Sequence, residues 1–313
     1  MLLTINKLDY KKISIEAAQK LAPYFQLRPN KSCDSTILDT ILWSDYYNAH
    51  YCTVDDRALF IAMQMGGDAF AAMPYCRAEE LPHYFEMLKR SFNEQFHRPL
   101  KIYLADKEAV DYLGLINNNE FMITEQTDLN DYLYGGEDLR ELQGRKFQKK
   151  RNQISHFERT YEGRWQYVEL NDENINDALT FIERWFATYY TDANAHEREM
   201  LECEHRGIVR LMENCHALNF RMGGISIDGQ IEAVSIGSYN EREKMAIISV
   251  EKANHDHKGL YQVINQEFMK HSFPDALIVN REDDMGESGL RQAKMSYMPI
   301  GFEKKYLIEQ INI

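Results

Sequence analysis

An α+β fold with two mixed sheets is what this sequence predicts, and three observations carry it. Short apolar runs bounded by tight-turn residues occur in two groups, an amphipathic helical stripe follows each group, and the landmarks of the two groups pair at a near-constant spacing. At roughly 150 residues per domain, 313 residues leave room for two domains. Hydrophobic residues at 44% suffice for cores, so the chain is neither disordered nor fibrous. With 36 Lys+Arg against 49 Asp+Glu, the net charge of -13 excludes a generally basic nucleic-acid-coating protein, and any phosphate contact needs a local basic patch. The longest apolar run, Ala58–Met63, falls far short of the ~20 residues of a membrane span. The opening Met1–Lys7 segment is too short and polar for a secretory signal. Five cysteines without a Cys-x-x-Cys pair argue against a disulfide framework or a closed zinc site, so a reducing cytoplasm is expected.

Ser14 can cap a helix from Ile15 that Pro23 ends. Strand candidates at 47–54, 58–65 and 68–74 form a meander, with turns at Asp55-Asp56-Arg57 and Gly66-Gly67. A helix over 78–97 follows, with Leu81, Tyr84, Phe85, Leu88, Phe92 and Phe96 on one stripe. A strand (100–105), a short helix and a strand (120–124) complete the first group. The second group opens with strands over 220–227 and 230–239 around Asp228-Gly229, whose residues tolerate the positive φ of a hairpin turn. A strand (244–251), a helix (259–272), a strand (276–280), a short helix (288–295) and a strand near 302–308 follow. Corresponding landmarks lie 172 to 180 residues apart (56 and 228, 67 and 241, 78 and 258, 100 and 276), which predicts a duplicated fold. The inserted residues between the groups predict helices over 138–159, 175–190 and 195–214.

A meander followed by helix, strand, helix and strand is the element order of the GNAT acyltransferase fold. The domains expected are 1–130, a GNAT-like scaffold, and 131–313, a GNAT-like domain with the inserted helices and the site.

The basic run Arg145–Arg151 has five cations in seven residues and no acid. On a single helix through Leu142, Lys146, Lys149 and Lys150 fall within about 80° of that residue, in the stripe that Leu139 and Phe157 mark, while Arg151 points away. Either the lysines snorkel from a solvated face or they form a wall for phosphates of a nucleic acid, a lipid head group or a cofactor. The second cluster, Asn280-Arg281-Glu282-Asp283-Asp284-Met285-Gly286, follows a buried strand, and ligands of open α/β sheets sit beyond strand carboxyl ends. Lys294 follows on a short helix. A polar loop capping that helix is the alternative. The third is Asn254–Tyr261, a strand-to-helix turn able to cradle a pyrophosphate, where only Gly259 matches the acetyl-CoA signature. Asp283, Asp284 and Glu287 match no standard metal loop, and His255 with His257 lacks a third ligand, so no metal is expected.

Tyr132-Leu-Tyr, Asp138-Leu139, Leu142, Gly144, Lys146, Lys149-Lys150-Arg151-Asn152 and Phe157 make one characteristic string. Asn280-Arg281-Glu282-Asp283, Gly286, Gly289-Leu290-Arg291, Ala293-Lys294, Ser296-Tyr297 and Pro299 make another. With both, the chain, over roughly residues 20 to 305, resembles bacterial proteins that share the phosphatidylglycerol lysyltransferase C-terminal domain. The resemblance implies two tandem GNAT-like domains, as in Fem-type peptidoglycan aminoacyltransferases, and transfer of an aminoacyl group from charged tRNA to an amine or a lipid hydroxyl.

The leading expectation is therefore an acyl- or aminoacyltransferase whose reaction cleft lies in the second domain. Glu251, Glu282 and Asp283 are the candidate bases. Lys146, Lys149, Lys150 and Arg281 would hold donor phosphates, with Asn280, Lys294 and Tyr297 lining the donor site. The donor is charged tRNA, bound through the local basic patch, or acetyl-CoA at Gly259; the acceptor is a small molecule, a peptide or a lipid head group. The alternatives are a CoA-dependent small-molecule N-acetyltransferase and a non-catalytic binding module of the same fold.

Overall fold

The computed structural model describes residues 8–191 and 194–312; the opening heptad read above lies outside them. The chain divides into a first unit, Met1–Asn130 with Glu303–Ile313, and a second, Asp131–Phe302.

In the first unit the strands are β1 (Lys11–Lys12), β2 (His50–Val54), β3 (Ala58–Met65), β4 (Asp68–Ala71), β5 (Lys101–Asp106) and β6 (Phe121–Glu125). Those that follow are β7 (Asp131–Gly135), β8 (Trp165–Glu169), β9 (Arg221–Ile227), β10 (Gln230–Asn240), β11 (Met245–Ala253), β12 (Ile278–Asn280) and β13 (Gly301–Glu303), and the last is β14 (Lys305–Gln310). One sheet runs β1-β2-β3-β4-β5-β14-β6 and the other, taken from its far edge, β8-β9-β10-β11-β12-β7-β13. Directions agree too. The first four strands of each are successively antiparallel, the fourth and fifth are parallel, and the sixth is antiparallel to the fifth. The two sheets therefore share one strand order, as the landmark spacing predicts.

The sixth position is where the sequence expectation and the structure part. The final strand, expected in the second half, is β14, and it pairs antiparallel with both β5 and β6. The equivalent place in the second sheet is filled by β7, beside β12. Nothing in local periodicity says which sheet a terminal strand joins, so a cut at 130 assigns residues 303–313 to the wrong unit.

Each sheet carries its own core. Leu81, Tyr84, Phe85, Leu88 and Phe92 of the amphipathic helix Leu81–Arg90 and its continuation are buried with Phe60, Ile102 and Ile308. In the second unit, Val263, Ile264, Phe268 and Met269 of helix Leu260–Ser272 pack with Ile225, Ala246 and Val279. The inserted helices belong to this unit; helix Ile175–Tyr190 packs on β10 and β11. The Asp228-Gly229 hairpin has the expected positive φ, 52° and 81°.

The continuous helix expected over 138–159 is broken. Helix Gly136–Glu141 stops where Leu142 turns left-handed at φ 48°, and Gly144 follows at φ 82°. A tight turn, Arg145–Phe147, leads into helix Gln148–Thr160. Arg151 Nη1 donates to the Leu142 carbonyl at 2.5 Å and the Gly144 carbonyl at 2.7 Å, holding this turn. The break resets the helical phase. The inward stripe is Phe147, Lys150, Ile154 and Phe157, while Lys146 and Lys149 are exposed.

Ile308 is fully buried on β14, between β5 and β6. Ile308→Ala should cost about 2–5 kcal/mol of stability in urea titration, with the lost amide protection in hydrogen exchange concentrated in β5 and β6.

Candidate functional site

β11 and β12 pair only over Met245–Ile247 and Ile278–Asn280, while β11 runs on to Ala253. The parallel strands thus separate, and the wedge past their last shared bond receives the loop 281–287. That loop is pinned from several sides. Buried Asn280 donates to Asp131 Oδ2 at 2.8 Å and accepts from the Glu282 amide at 2.7 Å. Lys294, buried on helix Ser288–Met295, donates to the Arg281 carbonyl at 2.5 Å and to the Asp283 carbonyl. Asp284 accepts both from Tyr132 and, at 2.8 Å twice, from Arg291, and these hydrogen bonds pull its pKa down to about 2. Asn280, Lys294 and Asp284 are satisfied by the loop and by the flanking residues Asp131, Tyr132 and Arg291. They shape the site.

What the loop presents to the wedge is Arg281. Its Nη2 donates to Glu251 Oε1 at 2.9 Å, and Asn265 Nδ2 donates to Glu251 Oε2 at 3.0 Å. The guanidinium lies 4.8 Å from the Tyr297 ring and 5.9 Å from that of Tyr134. Its Nη1 is buried with no hydrogen-bond partner. A buried donor left unsatisfied costs about 1–3 kcal/mol, more when charged, so such a group marks a place that a ligand completes. Lys150 comes to the same ring from the other helix: Nζ is 3.8 Å from the Tyr297 centroid and donates to Ser296 Oγ at 2.6 Å. Burial first, then repulsion from Arg281 and Lys149, brings its pKa down to about 8.

The expected residues thus separate. Lys150, Glu251, Arg281 and Tyr297 converge. Glu251 holds the arginine through one hydrogen bond and is itself held by Asn265 through a second. Glu282 is half-buried, and burial and the neighbouring Asp283 and Asp131 carboxylates push its pKa up to about 8 despite Lys294. Asp283 accepts from the Met285 amide at 2.9 Å. Lys146 pairs with Asp138 at 2.7 Å on the surface, and Lys149 is exposed beside the converging group. The inward-lysine expectation fails for Lys146 and Lys149 because the helix breaks at Leu142. Gly259 has φ 96°, and an added Cβ would stand 2.4 Å from the Gln153 carbonyl, so its lack of a side chain serves the close passage of helix Gln148–Thr160. His257 meets the Tyr161 hydroxyl at 2.6 Å through Nδ1.

Sequence reasoning missed Asn265, and it read Ser296 and Tyr134 only as members of the two characteristic strings, without a place in the site. Asn265 was the most accessible of these: it is a polar side chain buried within the apolar stripe Leu260, Val263, Ile264 and Phe268. The first unit, expected as scaffold, holds a cleft of about 590 Å³ including its open mouth, at the matching separation of β4 and β5, which pair only through Ala71 and Ile102. Trp43, Tyr75 and the buried Arg28–Asp106 pair line it. The ligand-sized cleft that the sequence places in the second domain is therefore found in the first unit, where β4 and β5 splay.

A model of the phosphatidylglycerol lysyltransferase C-terminal region matches residues 25–309. The chain belongs to that family. A conserved protein of unknown function from Bacteroides thetaiotaomicron is 25% identical, with TM-score 0.87 over 97% of this chain and 99% of that one. The C-terminal domain of a putative lysylphosphatidylglycerol synthetase from Agrobacterium fabrum, 14% identical, gives 0.67 over 95% and 93%. FemX, 11% identical, gives 0.51 over 97% and 98%. The fold is GNAT-like and the family aminoacyltransferase-like. Among the described residues no helix is long and apolar enough to cross a membrane.

Two outcomes test this geometry. Gly259→Ala should cost about 2–5 kcal/mol in chemical denaturation, from positive φ plus overpacking, and Gly229→Ala at the open hairpin only about 1–2. The folded pKa of Glu282 lies above its unfolded value. Stability from this group is complete below about 4.5 and is lost as pH rises through about 8. Glu282→Gln should flatten that decline when melting is followed from pH 5 to pH 8.5.

Proposed function

We propose that the protein is an aminoacyltransferase that moves an aminoacyl group from charged tRNA to an amine or hydroxyl acceptor, with the second unit's wedge as the reaction site. The observation that carries this reading is the buried Arg281, partnerless at Nη1 and held by Glu251, with Lys150 across the shared Tyr297 ring. The family supports the aminoacyl chemistry. The close passage of Gln153 over Gly259 disfavours a CoA pyrophosphate at that turn.

The step balances as follows. The acceptor nitrogen or oxygen attacks the donor ester carbonyl and forms the new amide or ester bond. Arg281 Nη1 donates to the oxygen on which negative charge develops, a preorganised interaction in a site that needs no rearrangement. The bond from the carbonyl carbon to the ribose oxygen breaks, and that oxygen leaves as a hydroxyl. Lys150, with a pKa near 8, is partly neutral at physiological pH and takes the acceptor proton, which then passes to the leaving oxygen. Glu251 keeps the guanidinium in place.

With charged tRNA as donor, Arg281→Ala should lower transfer about 10²–10³-fold. The wild-type rate should rise with pH and level off above about 8, and Lys150→Met should abolish that rise. Transfer from acetyl-CoA but not from charged tRNA, or full activity in Arg281→Ala, sinks the proposal.

A further inference from the structure

The chain enters and leaves its inserted helical pair at one point of the second unit. Asp172 lies in the loop after β8, just before helix Ile175–Tyr190. Cys215 opens the tight turn Cys215–Ala217, just after helix Ala195–Glu213. The two stand 43 positions apart in sequence, yet Cys215 Sγ donates to Asp172 Oδ1 at 2.9 Å. His216 completes the group: the sulfur, a carboxylate oxygen and a ring nitrogen all lie within 4.8 Å of one another. Four of the five cysteines are buried, whereas Cys215 is half-buried and Asp172 and His216 are exposed, so a solute reaches all three. The surroundings favour a cation. From Trp165 to Glu183 the acids are Glu169, Asp172, Glu173, Asp177 and Glu183, with no lysine, arginine or histidine among them.

The donor set selects the metal. Magnesium and calcium take oxygen ligands, while a thiolate and an imidazole suit a borderline transition metal such as zinc. Zinc bonds of about 2.0–2.3 Å in a tetrahedron place the ligand atoms about 3.3–3.6 Å apart. Small side-chain rotations bring a group already held within 4.8 Å to that spacing. We infer that Asp172, Cys215 and His216 bind one Zn²⁺ with solvent in the fourth position, and that the ion clamps the base of the inserted helical pair. Coordination replaces the thiol proton, which leaves to solvent. No residue of the reaction wedge takes part, and the ion has no role in the transfer proposed above.

The untagged full chain is stripped with a chelator and titrated with Zn²⁺ against a chromophoric zinc indicator. One ion per chain, bound with about micromolar or tighter affinity, is expected. Co²⁺ in its place should give a sulfur-to-metal charge-transfer band and the intense visible bands of a tetrahedral centre. Cys215→Ser should remove the charge-transfer band and weaken Zn²⁺ binding at least about 10²-fold, because losing a residue that merely orients a metal ligand already costs about 10–100-fold. His216→Ala, at an exposed position where folding is not at stake, should weaken binding to a similar extent. His156→Ala, exposed on helix Gln148–Thr160, should leave it unchanged. Saturating Zn²⁺ should raise the Tm of the wild type and not that of Cys215→Ser. Absence of Zn²⁺ binding overturns the inference. So does binding that survives both Cys215→Ser and His216→Ala, which places the ion on other groups, and so does a Co²⁺ spectrum without the charge-transfer band, which removes the thiolate from the ligand set. No transfer is measured, so the metal site and the proposed reaction stand or fall separately.

Discussion

The constraint on which the structure rests is the exchange of the sixth strand. β14, the last strand of the chain, lies between β5 and β6 with backbone hydrogen bonds to both, and β7 fills the same position beside β12. Without the inserted strand, β5 and β6 would each expose an unpaired edge, and unpaired edges invite misassociation. The first sheet must therefore wait for a segment almost 180 residues beyond its previous strand. That closure entropy grows slowly with length, so the arrangement is thermodynamically inexpensive although it is demanding kinetically.

The second sheet turns the same topology into a site. A parallel pair that shares only three residues leaves the end of β11 without its neighbour, and the space is filled by charges. Two cations in one buried group would be costly alone. Here Glu251 and Asn265 hold Arg281, Tyr297 offers its ring face to both cations, and Lys150 sheds part of its charge through a lowered pKa. The backbone clamp of Lys294 on two loop carbonyls fixes where Arg281 points. The first sheet opens at the corresponding strands but carries Arg28 and Asp106 there, locked to each other in two hydrogen bonds.

How much of this was legible follows from what kind of signal each feature leaves. The loop after β12 was readable because a dense run of charges and glycines follows a buried strand. Gly259 was readable as special but not for its reason, since a missing Cβ looks the same whether a phosphate or a carbonyl comes close. Lys150 was readable as inward, yet Lys146 and Lys149 were drawn inward with it, because one left-handed residue, Leu142, shifts every later side chain around the helix axis. Asn265 left a signal in the form of a polar residue inside an apolar stripe.

Sequence by itself determined the two groups of elements, their common order, their amphipathic helices and the charged loop beyond the central strand, because periodicity and turn residues are local properties of the chain. Tertiary structure alone decided which sheet received each terminal strand, which lysine of the basic run entered the core, and that Glu251 would anchor Arg281. Those outcomes depend on strand pairing, on a backbone break and on distances between residues as far apart as 150, 251, 281 and 297, and no local pattern encodes such distances.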